Sequence, residues 1–463
     1  MEPRSLQYVA EAAGGELCRG SATLAVTRVC TDSRRVKPGD LFVALRGERF
    51  DGHDYVGDVV RKGAGAVVVE QGRRPGSELV AGVVAVDDTR RALGRLAARY
   101  RQDFPLPVIA VGGSNGKTTT KDLLGSVLRQ RFRTLCSEAS FNNDIGVPLT
   151  LLNVERSHEV AVLEVGTNHP GELAPLVRMV DPRLGVITSL GREHLEFFGD
   201  LDGVAREEGE LAELLPADGC LIVHGDSPGM DGVIRRTAAR TLRVGWGQDN
   251  AWRVERVALD AAGTDFELAT DREEYRGSYR VNLVGRHQVT NALLAVATAA
   301  ELGLTPEEIR RGLPECRAAR RRLEVWSAAG VWVLDDAYNA NTDSVRAALE
   351  TLRDFPCEGR RVAVLGDMAE LGEEGPAAHA EVGRFAAERA VDQLFAVGRM
   401  AGVMGSAARA AGLFRVIELP AGEVAAGAVN HFVRRGDVVL VKASRAAKLE
   451  QVSDALRRRA DMA

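Results

Sequence analysis

The sequence predicts an α/β protein of about three domains, and three observations lead there. The chain has 463 residues, more than one hydrophobic core ordinarily serves. Residues 108–121 read VIAVGGSNGKTTTK: an apolar run, a glycine turn, Gly-Lys-Thr, then a helical pattern. Beyond Pro314, short apolar runs alternate with helical stretches, as in a parallel sheet wrapped by helices. Composition agrees, with 45 % apolar and 27 % charged residues as in ordinary globular proteins. A net charge of −5 provides no basic field, which argues against a nucleic-acid partner. The six cysteines (Cys18, Cys30, Cys136, Cys220, Cys316 and Cys357) are scattered without CxxC spacing. They read as reduced thiols rather than a disulfide frame or zinc site. The opening MEPRSLQYVAEAAGG lacks a signal-peptide apolar region, and no apolar stretch approaches the roughly 20 residues that span a bilayer. A soluble, cytoplasmic protein with no membrane partner is the expectation.

In chain order, the first segment (1–86) carries strand patterns at 26–31, 40–44 and 65–69 and a helical pattern at 55–62. Two polar clusters, Thr31-Asp32-Ser33-Arg34 and Phe50-Asp51-Gly52-His53, are accounted for by turn chemistry. A basic residue beside a hydroxyl can also hold a phosphate, and sequence alone does not choose. A charged amphipathic helix at 87–101, with Leu93, Leu96 and Tyr100 on one face, opens the second segment (87–314).

The 108–121 stretch is the physical recipe for a phosphate cradle. Glycines Gly113 and Gly116 let backbone N–H groups converge on an anion, and a helix N-terminus adds its positive end. Lys117 can reach the outer phosphates, and the Thr118 hydroxyl can ligate Mg²⁺. The usual GxxxxGK[ST] spacing is shortened, because Val111 occupies the first glycine position. ATP binding is the expectation. Apolar strands at 160–165 and 184–189 end near Glu164 and His194. A carboxylate and an imidazole at strand ends beside a phosphate loop suit Mg²⁺ handling.

The 203–215 stretch reads as an acidic helix, on which Glu207 is expected on a solvated face. From 254 to 284 the pattern is β-like and polar, and an alanine-rich helix follows at 292–302. His287 and Asn291 share a face if that helix starts early enough to include both. The third segment (315–463) has strand patterns at 331–334, 361–365, 394–397, 414–419 and 438–441. Polar clusters follow several of them: DDAYNAN from Asp335, GDMAELG from Gly366, and Lys442-Ala-Ser444-Arg445. Strand ends along one sheet edge are where such a domain builds a site.

Taken together, GGSNGKTTTK, EVGTNHPGE, TSLGREHLE, GRHQVTNALLA, DDAYNAN, LGDMAELG and VKASR resemble the Mur ligases of peptidoglycan stem-peptide synthesis. The set covers nearly the whole chain. DDAYNAN and LGDMAELG look like the branch that adds D-alanyl-D-alanine to UDP-N-acetylmuramoyl-tripeptide. TDSRRVKPGDLFVALRGERFDGH is similar to that branch's UDP-binding domain. The resemblance implies a small α/β UDP-binding domain, a central P-loop α/β ATPase domain and a C-terminal Rossmann-like domain that meets ATP and the dipeptide. It implies a monomeric, cytoplasmic, ADP-forming ligase of cell-wall biogenesis that uses ATP and Mg²⁺ and passes through an acyl phosphate.

By the same resemblance, Gly113, Asn115, Gly116, Lys117, Thr118 and Thr119 cradle the nucleotide, with Lys117 at the β- and γ-phosphates. Thr118 and Glu164 hold one Mg²⁺, and His194 helps hold a second, at which Glu208 stands as this chain's own departure. His287 and Asn291 contact the nucleotide from the central domain, Arg322 and Asp336 from the third. Ser33 and Arg34 belong to the uridine-nucleotide site, and Asn142 and Asn143 to the central cleft. Asn339, Asn341, Lys442 and Arg445 are expected to bind substrate.

The chain departs from the family pattern at Ser189 and His224, where Asn is usual, and at Thr342, where Pro usually follows the second Asn of YNAN. The largest departure is Glu208, where family members commonly carry a lysine carbamylated by CO₂. Glu208 already bears a carboxylate on a shorter arm, and is expected to supply that charge without CO₂. Two rival readings remain at this level. One is another ligase of the superfamily, adding a diamino acid or extending a folylpolyglutamate. The other is a nucleotide-binding relative impaired in catalysis through Glu208 and Ser189.

Overall fold

In the computed structural model, residues 1–73 and 82–459 are described. The chain divides into two compact units: residues 1–110, 132–167 and 172–184 form one, and residues 111–131, 168–171 and 185–463 the other.

The first unit contains a five-stranded sheet. Strands Val29–Cys30, Leu41–Val43, Ala66–Glu70 and Gly82–Val86 run parallel in that order, and Glu16–Arg19 closes the edge antiparallel to Gly82–Val86. The strand expected at 26–31 is two short strands, Ala25–Val26 and Val29–Cys30, in different sheets. Ala25–Val26 pairs instead with Arg4–Ser5. Helix Val56–Arg61 covers the sheet. Helix Thr89–Arg101 begins at Asp88, whose side chain accepts the Arg91 N–H. Its apolar face is fully buried at Leu93, Leu96 and Tyr100, packed on helices Leu6–Ala13, Gly146–Leu151 and Leu173–Val180. Strand Val160–Glu164 lies parallel to Thr134–Cys136 in the same unit.

The second unit contains two sheets. In the first, Gly277–Val281, Gly263–Thr270, Trp252–Asp260, Arg240–Gly245, Cys220–His224 and Leu184–Ile187 succeed one another, followed by strand Val108–Gly112, along which the chain enters this unit. The strands from 252 to 281 form an antiparallel meander, as their polar alternation suggests. Helix Lys117–Leu128 packs against Arg286–Glu301 and Pro306–Gly312. Helix Arg286–Glu301 starts early enough to carry both His287 and Asn291.

The second sheet has the order Glu324–Ala328, Val331–Asp336, Val438–Lys442, Arg361–Gly366, Gln393–Val397 and Val416–Leu419. Its members are parallel except for the first hairpin. Separate apolar layers on its two faces give the doubly covered, parallel arrangement that the unbroken apolar strands require. The edge strand is shorter than the 414–419 pattern, and Phe414 lies outside it, 82 % exposed.

Candidate active site

The phosphate loop leaves strand Val108–Gly112 and enters helix Lys117–Leu128 through two glycines in the left-handed region, Gly113 at φ +106° and Gly116 at φ +94°. Neither place admits a side chain. A Cβ on Gly113 would lie 2.7 Å from the Thr188 backbone nitrogen, and one on Gly116 would lie 2.3 Å from Asn291 Oδ1. Asn291, expected at the nucleotide, is thus packed on the loop itself, and its amide donates to Gln288 at 2.9 Å. Lys117 opens the helix, and its ammonium donates to the carbonyls of Gly113 and Ser114. Thr118 is buried and Thr119 half-buried in the first helical turn.

A second loop, after strand Leu184–Ile187, wraps the first. Ser189 Oγ accepts the Asn115 N–H at 2.9 Å and donates to the Asn115 carbonyl at 3.2 Å. The hydroxyl at this departure from the family pattern therefore fixes the cradle's backbone. The Gly191 N–H donates to Ser114 Oγ at 2.8 Å. Glu193 approaches Lys117 at 3.7 Å and His194 at 4.0 Å. Sequence reasoning passed over Glu193, although it immediately precedes His194 in GREHLE. His194 sits at φ +49° and its Nδ1 meets Glu370, itself at φ +59°. Left-handed backbone at non-glycine residues costs on the order of 1 kcal/mol each and persists only where contacts hold it. The Glu196 N–H donating to the Glu370 carbonyl at 3.1 Å is one such contact.

The acidic helix, Leu201–Glu213, corrects one expectation. Glu207 is not on a solvated face: it is 7 % exposed and accepts the Gly171 N–H at 2.8 Å. Glu208 is 1 % exposed, and its Oε2 accepts the Gly113 N–H at 2.6 Å. Its Oε1 is buried with no hydrogen-bond partner among the described residues. Burial pushes this carboxyl well above the ordinary carboxylate range; Lys117 opposes the shift and Glu193 reinforces it. A buried, unpartnered carboxylate oxygen beside the first N–H of a phosphate loop is suited to a cation. Among the described residues, no three His, Cys, Asp or Glu side chains gather as a protein cage for a metal. Mg²⁺ is ordinarily held by one or two carboxylates together with phosphate oxygens and water, and the buried, unpartnered oxygen of Glu208 is the donor here that suits such an ion.

In the first unit, Glu164 ends its strand fully buried. Its Oε1 accepts from Asn142 at 2.8 Å, and its N–H donates to Ser137 Oγ at 3.1 Å. Asn143 has a local duty, accepting the N–H groups of Ile145 and Gly146 at 3.2 and 2.9 Å. Arg34 is 86 % exposed at its side chain and paired with Asp32, whose carboxyl its hydrogen bonds bring down to about 2. The Ser33 carbonyl accepts from Lys62 at 2.8 Å.

The six-stranded sheet brings the remaining residues to its strand ends. Lys442 pairs with Asp336 and donates to the Asn339 carbonyl at 3.1 Å. Asp336 also accepts the Leu323 N–H at 3.0 Å. Arg322 stacks on Tyr338 at 4.0 Å, and Arg445 lies 5.9 Å from the same ring. Burial pushes the His287 imidazole down to about 4, with Asp336 opposing and Lys442 adding, so it is neutral at physiological pH. Asn341 caps helix Thr342–Asp354, accepting the Ser344 N–H at 2.8 Å. Its amide donates to Asn115 Oδ1 of the phosphate loop at 3.0 Å. Thr342, where the resemblance leads to an expectation of Pro, occupies the first helical position, the place in a helix where Pro is favoured and its N–H is not needed. At the remaining departure, His224 lies 3.7 Å from Asp226. Asp226 is held far below the usual carboxylate range by His224 and the backbone N–H of Trp246.

Asp335, beside Asp336, supports a stability prediction. It is 2 % exposed, Oδ1 lacks a partner among the described residues, and burial raises its carboxyl from 3.8 to about 6. The folded state therefore binds this proton more tightly than the unfolded state. That advantage is complete below pH ~4 and is lost as pH rises through ~6. The ionised form costs at most about 3 kcal/mol above that. Asp335→Asn is expected to raise the unfolding free energy by ~1–2 kcal/mol at pH 8 and to add nothing at pH 4. Denaturant unfolding at both values checks it; an equal effect at both would mean that the buried carboxyl does not titrate there.

Comparison with known proteins gives three matching family models: "Mur ligase family, catalytic domain" over residues 25–101, "Mur ligase middle domain" over 111–299, and "Mur ligase, glutamate ligase domain" over 321–445. The UDP-N-acetylmuramoyl-tripeptide--D-alanyl-D-alanine ligase of Bacillus subtilis is 34 % identical over 455 residues, covering 98 % of each chain. A crystal structure of MurF from Acinetobacter baumannii is similar over 99 % of both chains, with a TM-score of 0.89 and 33 % identity. MurF ligase from Thermotoga maritima in complex with ADP is similar over 94 % of this chain and 98 % of its own, with a TM-score of 0.82 and 27 % identity.

Proposed function

The chain belongs to the Mur ligase family, and from that premise we propose that it joins D-alanyl-D-alanine to UDP-N-acetylmuramoyl-tripeptide at the expense of ATP. The observation that carries this reading is the full-length likeness to ligases of that name. The tripeptide carboxylate takes the γ-phosphoryl group of ATP, giving an acyl phosphate and ADP. The dipeptide amine then attacks the acyl carbon, and a tetrahedral intermediate collapses to the amide with release of phosphate. Alignment and charge neutralisation are the protein's main tasks in such chemistry.

Lys117 neutralises the outer phosphates, and the N–H groups from Gly113 to Thr119 cradle them. His287, being neutral, accepts or donates a hydrogen bond at the nucleotide without adding charge. Asn291 supports the loop at Gly116. Asp336 orients the ribose and Arg322 the phosphates. Ser33 and Arg34 meet the uridine nucleotide, which requires Arg34 to exchange Asp32 for a phosphate. Asn142 and Asn143 face the muramoyl peptide, and Asn339, Asn341, Lys442 and Arg445 the incoming dipeptide. Thr118 and Glu164 would hold one Mg²⁺, and His194 and Glu208 a second. Bound there, these ions supply positive charge against the β- and γ-phosphates. Glu208 gives its carboxylate directly, so no carbamate is required. Domain boundaries near 86/87 and 314/315, and action as a cytoplasmic monomer, complete the proposal.

The test is phosphate release from ATP and Mg²⁺ with UDP-N-acetylmuramoyl-tripeptide, with and without D-alanyl-D-alanine. Release that depends on the dipeptide is the expected result. Release with a single diamino acid instead would assign another ligase step, and none with any acceptor would leave a nucleotide-binding protein without turnover.

A further inference from the structure

The loop that wraps the cradle carries a group for which the chemistry above has no use. Arg192 donates its backbone N–H to Asp343 Oδ2 at 2.8 Å, and its guanidinium reaches Asp343 Oδ1 at 2.7 and 3.2 Å. The other edge of the guanidinium meets both oxygens of Glu381, at 2.8 and 3.0 Å. Arg346 donates to Glu381 as well, at 2.8 Å. Asp343 stands in the first turn of helix Thr342–Asp354, and Glu381 lies on helix Gly375–Glu388. One planar fork from the central sheet therefore engages two helices of the C-terminal sheet. A guanidinium suits this arrangement because its donors are fixed in the geometry of a carboxylate pair.

The fork is coupled to the reaction centre at both ends. Gly191, its neighbour, is tied to Ser114 of the phosphate loop. Asp343 is two residues beyond Asn341, whose amide meets Asn115. Hydrogen bonds from Arg192, the largest influence, hold the Glu381 carboxyl down to about 2. Glu381 therefore stays charged throughout the neutral range, and the ionic contact is responsive to salt.

We propose that Arg192 is a positioning residue, an ionic fork that seats the C-terminal α/β domain on the phosphate loop before nucleotide binds. The proposal rests on the ligase reading only in that the seated arrangement is the one that receives ATP. A protein whose binding-competent arrangement is populated in advance loses less affinity to closure, since apparent Kd is the intrinsic value divided by the competent fraction. The contacting side chains are 27–38 % exposed, so salt screens them.

The test is a distance measurement on the nucleotide-free full chain, with one dye on helix Met230–Ile234 and the other on helix Gly422–Phe432. Wild type is expected to keep a single short distance at about 50 mM salt and to lengthen at about 500 mM. Arg192→Ala should be long at both, Arg192→Lys intermediate, and Glu381→Gln partly lengthened. In turnover, Arg192→Ala should raise KM for ATP about tenfold while kcat stays within about twofold, because saturating ATP restores the seated state. Equal distances in wild type and Arg192→Ala at both salt levels would overturn the proposal, as would an unchanged KM. If wild type itself releases no phosphate, the ligase reading falls, and the distances alone still decide the fork.

Discussion

Lys117→Met is expected to cut dipeptide-dependent phosphate release by about three orders of magnitude. In a phosphoryl transfer the protein's contribution is positioned positive charge, and this ammonium stands at the first position of the helix that begins under the cradle. It donates to carbonyls of its own loop, Gly113 and Ser114, contacts that a phosphate can replace at little cost. Methionine keeps the apolar stem, so the variant should fold. Its loss also removes the charge that opposes the upward shift at Glu208, and Glu208 should then hold its proton to still higher pH. Arginine is not expected to rescue, since a longer planar fork cannot occupy the place of a compact ammonium. The measurements are kcat/KM from phosphate release and ATP affinity by calorimetry. A loss of under tenfold would mean that Lys117 does not face the transferred group.

At Glu208 the expected loss is about a hundred- to a thousandfold for Glu208→Gln at limiting Mg²⁺. Glutamine retains an acceptor for the Gly113 N–H but removes the charge on the buried, unpartnered oxygen. Titration with Mn²⁺ in the presence of ADP should show the weaker of two sites lost, independently of turnover. Wild type should be indifferent to removal of bicarbonate. Glu208→Lys should be nearly inactive without bicarbonate and recover when it is added, because CO₂ then rebuilds a carboxylate on the lysine. Slowing of the wild type on bicarbonate depletion would sink the idea that Glu208 replaces a carbamate.

How much of this was legible beforehand differs from element to element. Strand Val108–Gly112, the turn and helix Lys117–Leu128 were readable because their causes are local: an apolar run, glycines that reach φ +106° and +94°, and a helical apolar spacing. The strands of the C-terminal sheet were readable because a parallel sheet covered on both faces demands unbroken apolar runs. Strand Glu324–Ala328 was not, since it is half-exposed at an edge and is defined by pairing with Val331–Asp336. The acidic run at 207–210 looked like a solvated face because composition does not say which side of a helix meets a neighbouring loop. Two loop N–H groups, those of Gly171 and the buried Gly113, hold Glu207 and Glu208 inward.

The sequence by itself determined the α/β class, the glycine turn and helix of the candidate phosphate loop, the residue types gathered at strand ends, and the family. Each of these is written in spacings of a few residues, over which backbone geometry and side-chain periodicity act directly. Only the tertiary structure decided the partners. Asn115 meets Asn341 across 226 positions, and Arg192 meets Asp343 and Glu381 across 151 and 189. Arg34 is held by Asp32, and one oxygen of Glu208 is left buried and unmatched among the described residues. Such pairings depend on which loops the packed sheets bring together and on what burial costs an unpaired charge, and neither quantity is a property of a local stretch of chain.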